Sequence, residues 1–157
     1  MGRYANALSA AKTDLLTVTA LKQVKVYPAD YPFTVNDLPV AIVHRMTNRE
    51  APVRTRSVGS GSQTWQMGID ILLIEGPLMN DEQMATADGL YEPWVDTIDA
   101  LLAGDYTLGG TVTTIGQIGQ GVTFTPMDTH LQWYKKIYWG IRFQVPVLQD
   151  WDRTLAP

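Results

Sequence analysis

The sequence predicts an α+β domain with a mixed, mainly antiparallel sheet of about five to six strands and two main helices packed on it. Two segments carry apolar residues at helical spacing, and several others alternate apolar and polar residues at strand spacing. The helical segments separate runs of strands, which favours α+β over an alternating α/β fold. With 157 residues, 45% of them hydrophobic, the chain suits one domain with a substantial core, so we assign residues 1–157 to a single domain.

The first half of the chain is predicted to contain one helix and three strands. Residues 4–20 carry apolar side chains three or four positions apart, which predicts an amphipathic helix on the sheet. Strands are predicted at 23–28, 38–48 and 63–76. The segment 49–62 is rich in arginine, glycine and serine, which predicts a flexible basic loop or the tip of a long hairpin.

The second helix is predicted to start near residue 80. Asn80 or Asp81 suits its N-cap, where acidic residues also favour the positive end of the helix dipole. Gly89 and Pro93 predict a kink or break near residue 90, and Gly104 predicts the C-terminal end. The predicted buried stripe consists of Met84, Leu90 or Tyr91, Trp94, Ile98 and Leu101.

Two segments complete the predicted sheet. Residues 111–126 are rich in threonine and glycine, which predicts one or two strands with a bend at 119–121. Residues 132–148 predict one long strand with an apolar and a more polar face. The apolar face comprises Trp133, Ile137, Trp139, Ile141, Phe143, Val145 and Val147, and the other face comprises Tyr134, Lys136, Tyr138, Gly140, Arg142 and Gln144.

Charge is distributed unevenly along the chain. The net charge is −4 at pH 7, but residues 57–134 contain no Lys or Arg and hold most of the acidic residues. An acidic middle segment argues against tight nucleic-acid binding, which needs a clustered basic face. The simplest interpretation of these carboxylates is a solvated helix face.

No segment carries a recognisable catalytic, cofactor or metal motif. Cysteine is absent, which excludes disulfides and thiolate metal sites. His44 and His130 are more readily explained as strand or turn residues than as ligands, and the glycines of 104–121 lack the strand–helix context of a phosphate loop. No Asp or Glu is expected to lie alone in an apolar run, where burial would raise its pKa. We therefore predict no catalytic, cofactor-binding or metal-binding residues, and no enzyme.

No membrane segment is predicted either. No apolar run approaches the roughly 20 residues that a membrane helix needs. The N-terminal residues lack the continuous apolar core of a signal peptide. We expect a cytoplasmic protein without a membrane partner.

Protein contacts are the one function for which the sequence offers candidate residues. Tyr and Arg are favoured at interfaces. The residues alone therefore make Tyr134, Tyr138 and Arg142 the predicted contacts with another subunit or partner.

The order of elements, together with several local phrases, resembles the tail terminator (tail-completion) proteins of long-tailed bacteriophages. The phrases, in a succession that spans most of the chain, are VKVYP, TWQMGIDILLIEG, VDTIDALLAG, LGGTVTTIGQIG and YWGIRFQVPV. The break expected at Gly89 and Pro93 and the GSGS segment do not correspond to the family's pattern.

The resemblance implies a structural virion protein with a mixed sheet flanked by helices, which assembles as a ring of about six copies. Such a ring would cap the tail tube, end its growth and present its other face to a neck or stopper protein. In a ring, acidic and basic segments of one chain can pair between neighbouring copies. The contacts that the resemblance adds are Arg49, Arg54, Arg56, Asp88, Glu92, Asp96, Asp99 and Lys136. DNA would pass through the bore without specific binding. The implied location is the tail–neck junction of the virion, after assembly in the host cytoplasm, and no cofactor is implied.

Two other interpretations remain open. Another neck or tail-tube structural protein of a phage would show a similar succession of elements, but a tube subunit would polymerise where a terminator stops at one ring. A small ligand-binding domain or enzyme would need a concave polar pocket with a perturbed titratable group, for which the sequence offers no candidate.

Overall fold

The computed structural model describes residues 3–27, 38–45, 53–56, 62–116, 125–127, 130–133 and 136–152. These residues form the predicted α+β architecture, with two helices and one mixed sheet. The described sheet has eight strands, whereas five to six were predicted. Several of the eight are only two to four residues long, which is too short to show a clear alternating pattern in the sequence. The elements are α1 (Arg3–Leu15), β1 (Gln23–Val26), β2 (Val40–Arg45), β3 (Val53–Arg56), β4 (Ser62–Pro77), α2 (Asp81–Gly104), β5 (Thr114–Ile115), β6 (Thr125–Met127), β7 (His130–Trp133) and β8 (Lys136–Asp152).

Two long antiparallel strands, β4 and β8, form the centre of the sheet. They pair from Ser62 opposite Asp152 to Pro77 opposite Tyr138. The second edge of β4 pairs with β3 and β2, while the second edge of β8 pairs in turn with β7, β6 and β5. β1 lies parallel to β2, which makes the sheet mixed. The rest of the chain is therefore arranged along two strands that the alternating pattern predicts.

The main core lies between one face of the sheet and both helices. Alternate residues of β4 and β8 contribute to it, which confirms the predicted apolar faces over residues 67–73 and 141–147. Fully burying such a side chain stabilises the fold by about 1.5–3 kcal/mol. Trp139, predicted on the same face as Ile141, is only half-buried and lies outside this core. The buried core residues of the two strands and two helices are Ala7, Leu8, Ala11, Leu15, Met67, Ile69, Ile71, Leu73, Trp94, Ile98, Leu102, Ile141, Phe143, Val145 and Val147.

Helix α1 is shorter than predicted, ending at Leu15 instead of near residue 20. The next residues form turns in which the Thr17 and Val18 amides donate to the carbonyl oxygens of Asp14 and Leu15. The Thr17 hydroxyl also donates to the Asp14 carbonyl at 2.6 Å. β-Branched residues have lower helix propensity, and a hydroxyl that binds nearby carbonyls competes with the helical pattern. The helix was predicted to be longer because apolar residues at helical spacing continue beyond Leu15 in the sequence.

Helix α2 begins as predicted and continues where a break was predicted. The Asn80 side chain accepts from the Gln83 amide, and the Gln83 side chain accepts from the Asn80 amide, which forms a capping box. The helix then runs without interruption through Gly89 and Pro93 to Gly104. The break expected near residue 90 is therefore wrong. Pro93 lacks the backbone N–H that would otherwise donate to the carbonyl of Gly89, four residues earlier. Gly89 lies on the exposed side of the helix, so water can reach that carbonyl and the helix continues.

The last predicted strand is two strands. Trp133 of β7 pairs with Lys136 of β8, so two antiparallel strands occur where one continuous strand was predicted at 132–148. Residues 134–135 lie outside the described residues. The alternating pattern did not reveal two strands, because the sequence keeps its aromatic and basic character across this segment. Ile137, predicted on the buried face, is exposed and precedes the part of β8 that enters the core.

The second face of the sheet carries a smaller apolar cluster, where a wetter surface was predicted. Tyr138, expected on the open side, is buried there, and its burial raises its pKa. Tyr138 contributes to packing inside the subunit, which corrects its predicted position at the surface. The cluster consists of Leu38, Val40, Ile42, Leu72, Ile74, Leu131 and Tyr138.

Part of the predicted basic loop at 49–62 has regular structure. Residues 53–56 form β3, which pairs antiparallel with β4 from Val53 opposite Gln66 to Arg56 opposite Gln63. Residues 46–52 and 57–61 lie outside the described residues. Residues 53–56 therefore form a paired strand, whereas the sequence predicted a flexible loop or the tip of a long hairpin there.

Candidate functional site

A buried cluster of charged and titratable side chains lies on the second face of the sheet, opposite the helices. His44 of β2 stands directly across from Asp70 of β4, and Arg142 of β8 lies one diagonal position away, across from Leu72. Arg142 Nη2 donates to Asp70 Oδ2 at 2.5 Å. His44 Nε2 lies 3.7 Å from the same oxygen. Side chains therefore join the three neighbouring strands in addition to the backbone hydrogen bonds.

The Asp70–Arg142 pair is buried and incompletely hydrogen-bonded. Asp70 has no exposed surface, and the Arg142 side chain is 20% exposed. Among the described residues, Asp70 Oδ1 and Arg142 Nε have no hydrogen-bond partner. Removing an ion from water costs several kcal/mol unless its partner and hydrogen bonds compensate. The stability of this region therefore depends strongly on the one Nη2–Oδ2 contact.

His44 adds a titratable group to the cluster. Its Nδ1 lies 2.7 Å from the carbonyl oxygen of Arg45, and because a carbonyl only accepts, Nδ1 carries the proton of the neutral ring. Burial is the main cause that lowers the pKa of His44, and the positive charge of Arg142 lowers it further. The negative charge of Asp70 and the Arg45 carbonyl oppose this shift. His44 is therefore neutral at pH 7.

The geometry of the cluster suits a structural role in which side chains hold β2, β4 and β8 together. The described residues contain no group of three or more His, Asp or Glu side chains placed to hold a metal ion. The carboxylate of Asp70 is held by a guanidinium, and the histidine donates one ring proton to the backbone. These contacts fix neighbouring strands to one another.

Sequence reasoning missed Asp70. The expectation that no acidic residue lies alone in an apolar run is wrong, because Asp70 is fully buried within the run GIDILLI. The signal was available: Leu72 and Ile74 follow Asp70 on the same strand face, so that face could not be a solvated one. Arg142 stands on the corresponding face of β8 and could have been identified as the balancing charge.

The predicted contact residues fall into three groups. The α2 carboxylates and Lys136 are exposed. Tyr138 is buried, and Arg142 is bound to Asp70, so neither lies on an open strand face as expected. Arg49 and Tyr134 lie outside the described residues, and Arg54 and Arg56 are positions of β3 whose backbone is described.

Four exposed carboxylates of α2 form what we call the acidic stripe: Asp88, Glu92, Asp96 and Asp99. At about 100° per residue they fall within roughly a quarter of the helix circumference. Like charges four residues apart on a helix repel one another. Among the described side chains, the ion pairs link Asp70 to His44 and Arg142, and none involves the stripe.

No protein-family model matches this chain, and a search of curated proteins finds no similar sequence. Neither described helix is long and apolar enough to span a membrane.

Proposed function

We propose that this chain is a structural virion protein of the tail terminator type. In this proposal about six copies close into a ring that caps the tail tube, ends its growth and offers its other face to a neck or stopper protein. The observation that carries the proposal is the acidic stripe, an exposed charged surface on a continuous 24-residue helix with no cationic partner among the described side chains. Such a surface suits contact with another molecule.

The element order supports the same proposal. The helix, the long strand, the acidic helix and the closing strand whose phrases resemble the terminator family occur as α1, β4, α2 and β8. One core joins them, so the charged surfaces stand on a single body. A closed ring needs two different patches that meet between neighbours, and a chain with separate acidic and basic segments can provide them.

Charge also agrees with passage of DNA through a ring. The net charge of −4 gives the protein the same sign as the phosphate backbone. Like charge disfavours adhesion, and the effect falls off beyond about 10 Å at 0.1 M salt. DNA could then slide past the protein without being held.

A second candidate is another neck or tail-tube protein, which the same element order favours. The two differ in what the purified chain assembles into. The mass in solution should be measured by light scattering, with negative-stain images of the same sample. Closed rings of about six copies that do not grow are expected, whereas open tubes would assign the chain to the tube.

If the protein is monomeric alone, purified tails should be added, because some caps could close only on their tube. Binding restricted to tube ends would support the proposal, and failure to bind would contradict it. A thermal-shift screen against nucleotides, metals and sugars tests the small ligand-binding alternative. A large shift with any of these would favour that alternative.

A further inference from the structure

The centre of the sheet extends past the main core as an arm of β3, β4 and β8, whose base at Leu148 also pairs with Thr114 of β5. The last β4–β8 pair that belongs to the core is Met67 opposite Val147. Five further pairs continue beyond it, ending at Ser62 opposite Asp152, which adds roughly 17 Å at the usual strand rise. β3 pairs along the same part of β4. We call residues 53–56, 62–66 and 148–152 the distal arm.

The register gathers arginine and tryptophan on one face of the distal arm. Arg54 stands across from Trp65, and Arg56 stands across from Gln63, which is itself across from Trp151. Strand alternation assigns all of these positions to the side of the sheet that carries the helices. Arginine and tryptophan are the residue types most enriched among the residues that dominate binding energy at protein interfaces.

The spacing of the arginines fits the acidic stripe. Two residues along a strand span about 6.6 Å, which is the separation expected between positions 54 and 56 of β3. Glu92 and Asp96, one helical turn apart, are separated by about 6 Å along α2. The spacing of these two arginine positions on β3 therefore matches the spacing of two carboxylate positions on the stripe. Arginine is suited to bidentate contact with carboxylates.

We infer that the distal arm of one copy docks across the acidic stripe of α2 in the next copy, and that this contact closes the ring. The inference rests on the proposed function, because it names the two patches that a ring requires. The contact is heterologous: each copy gives its arm to one neighbour and receives an arm from the other. It assigns a partner to the exposed carboxylates of α2 and a role to the arginines of β3.

Paired charge reversals test this contact. The arm variant carries Arg54→Glu with Arg56→Glu, and the stripe variant carries Glu92→Arg with Asp96→Arg. Each variant alone places like charges at every contact, so each should lose assembly, with association weakened roughly tenfold or more. In an equimolar mixture, the glutamates on the arm of the first variant can meet the arginines on the stripe of the second. The native arginines on the arm of the second variant can meet the native carboxylates on the stripe of the first. The mixture should therefore form rings in which the two variants alternate, with an even number of copies.

A matched control places arginines on the other exposed side of the same helix. Thr86→Arg with Thr97→Arg should leave assembly as in the wild type, because both threonines are exposed and lie outside the stripe. Circular dichroism melts confirm that each variant is folded, and native mass spectrometry counts the copies of each variant in a ring. If the wild type closes only on tube ends, binding to tube ends replaces ring formation as the readout.

The outcomes separate the two proposals. Rings from the arm variant or the stripe variant alone would overturn the arm–stripe contact while leaving the ring intact. A mixture of folded variants that fails to assemble would overturn it as well. A wild-type protein that forms no rings and does not bind tube ends would instead contradict the proposed function, and the contact with it.

Discussion

Replacing Arg142 by methionine tests the buried cluster most directly. Methionine keeps much of the apolar length and removes the charge, which leaves Asp70 fully buried without its hydrogen-bonded cation. Breaking a buried pair in this way costs about 3–5 kcal/mol. Because the Arg142 side chain is 20% exposed, some solvation of the site remains, and we expect the lower end, about 3 kcal/mol. This is a large share of the 5–15 kcal/mol by which domains are typically stable.

Urea unfolding at pH 7, followed by tryptophan fluorescence, measures the effect. With a slope of about 2 kcal/mol per M, a loss of about 3 kcal/mol moves the midpoint by roughly 1.5 M. The control is the double variant Asp70→Leu with Arg142→Met, which replaces both charges by apolar groups. Such replacements are often neutral, so the double variant should be more stable than Arg142→Met alone.

The pH dependence of the same variant gives an independent check. The charge of Arg142 lowers the pKa of His44, whereas Asp70 raises it. Removing Arg142 should therefore raise the pKa of His44 and let a protonated imidazole neutralise Asp70. The loss of stability should then be smaller at pH 5.5 than at pH 7. A loss below about 1 kcal/mol at pH 7, with unchanged pH dependence, would refute the assignment of Arg142 as the essential partner.

Further substitutions test the pH dependence of the cluster and other parts of the fold. Wild-type stability should fall from pH 7 to 5.5, because His44, whose pKa is lowered in the folded state, binds fewer protons there than in the unfolded chain. His44→Gln should remove this component from urea titrations at the two pH values, and an unchanged pH dependence would contradict it. Gly140→Ala should cost about 1–3 kcal/mol or more, because the new Cβ would overlap the Leu73 carbonyl oxygen at a positive φ. Gly89→Ala, a helical position with open space, should stabilise by about 0.5–1 kcal/mol, and thermal melts that rank the two glycines in the opposite order would refute this. Asn80→Ala should cost about 1 kcal/mol of unfolding free energy through loss of the cap, whereas Asn80→Asp should stay close to the wild type.

The central strands were predictable because their periodicity reflects burial on one face. Met67, Ile69 and Ile71 alternate with less apolar residues over a long run, and no other regular structure places such residues on one side. The capping residue Asn80 was predictable for a similar reason, since its role depends on neighbours within one helical turn. Local chemistry and simple periods therefore yielded the α+β class and the principal elements.

Properties that depend on distant partners were not predictable from the pattern. Asp70 and Arg142 are 72 positions apart, and their pairing follows only from the β4–β8 register. The burial of Tyr138 depends on Leu131 of β7 and on residues of β2 and β4 in the same cluster. Pro93 predicted a break on local grounds, but packing of Trp94 and Ile98 on the sheet favours a continuous helix. In each case tertiary contacts outweigh a local preference.

The repulsion within the acidic stripe lowers the stability of one copy, while the same carboxylates are proposed to favour the association of several copies. Glu92 has a like charge one turn away on each side, at Asp88 and Asp96, and such pairs destabilise a helix by a few tenths of a kcal/mol each. Glu92→Gln removes both repulsions, so the dilute subunit should unfold at a slightly higher temperature, most clearly at low salt. If a neighbour's arginine binds Glu92, the same change should weaken association. Thr97→Gln, on the other exposed side of α2, is the control. A variant that gains stability and also assembles as well as the wild type would show that Glu92 lies outside the contact, because repulsion that serves no partner can be removed without loss of function.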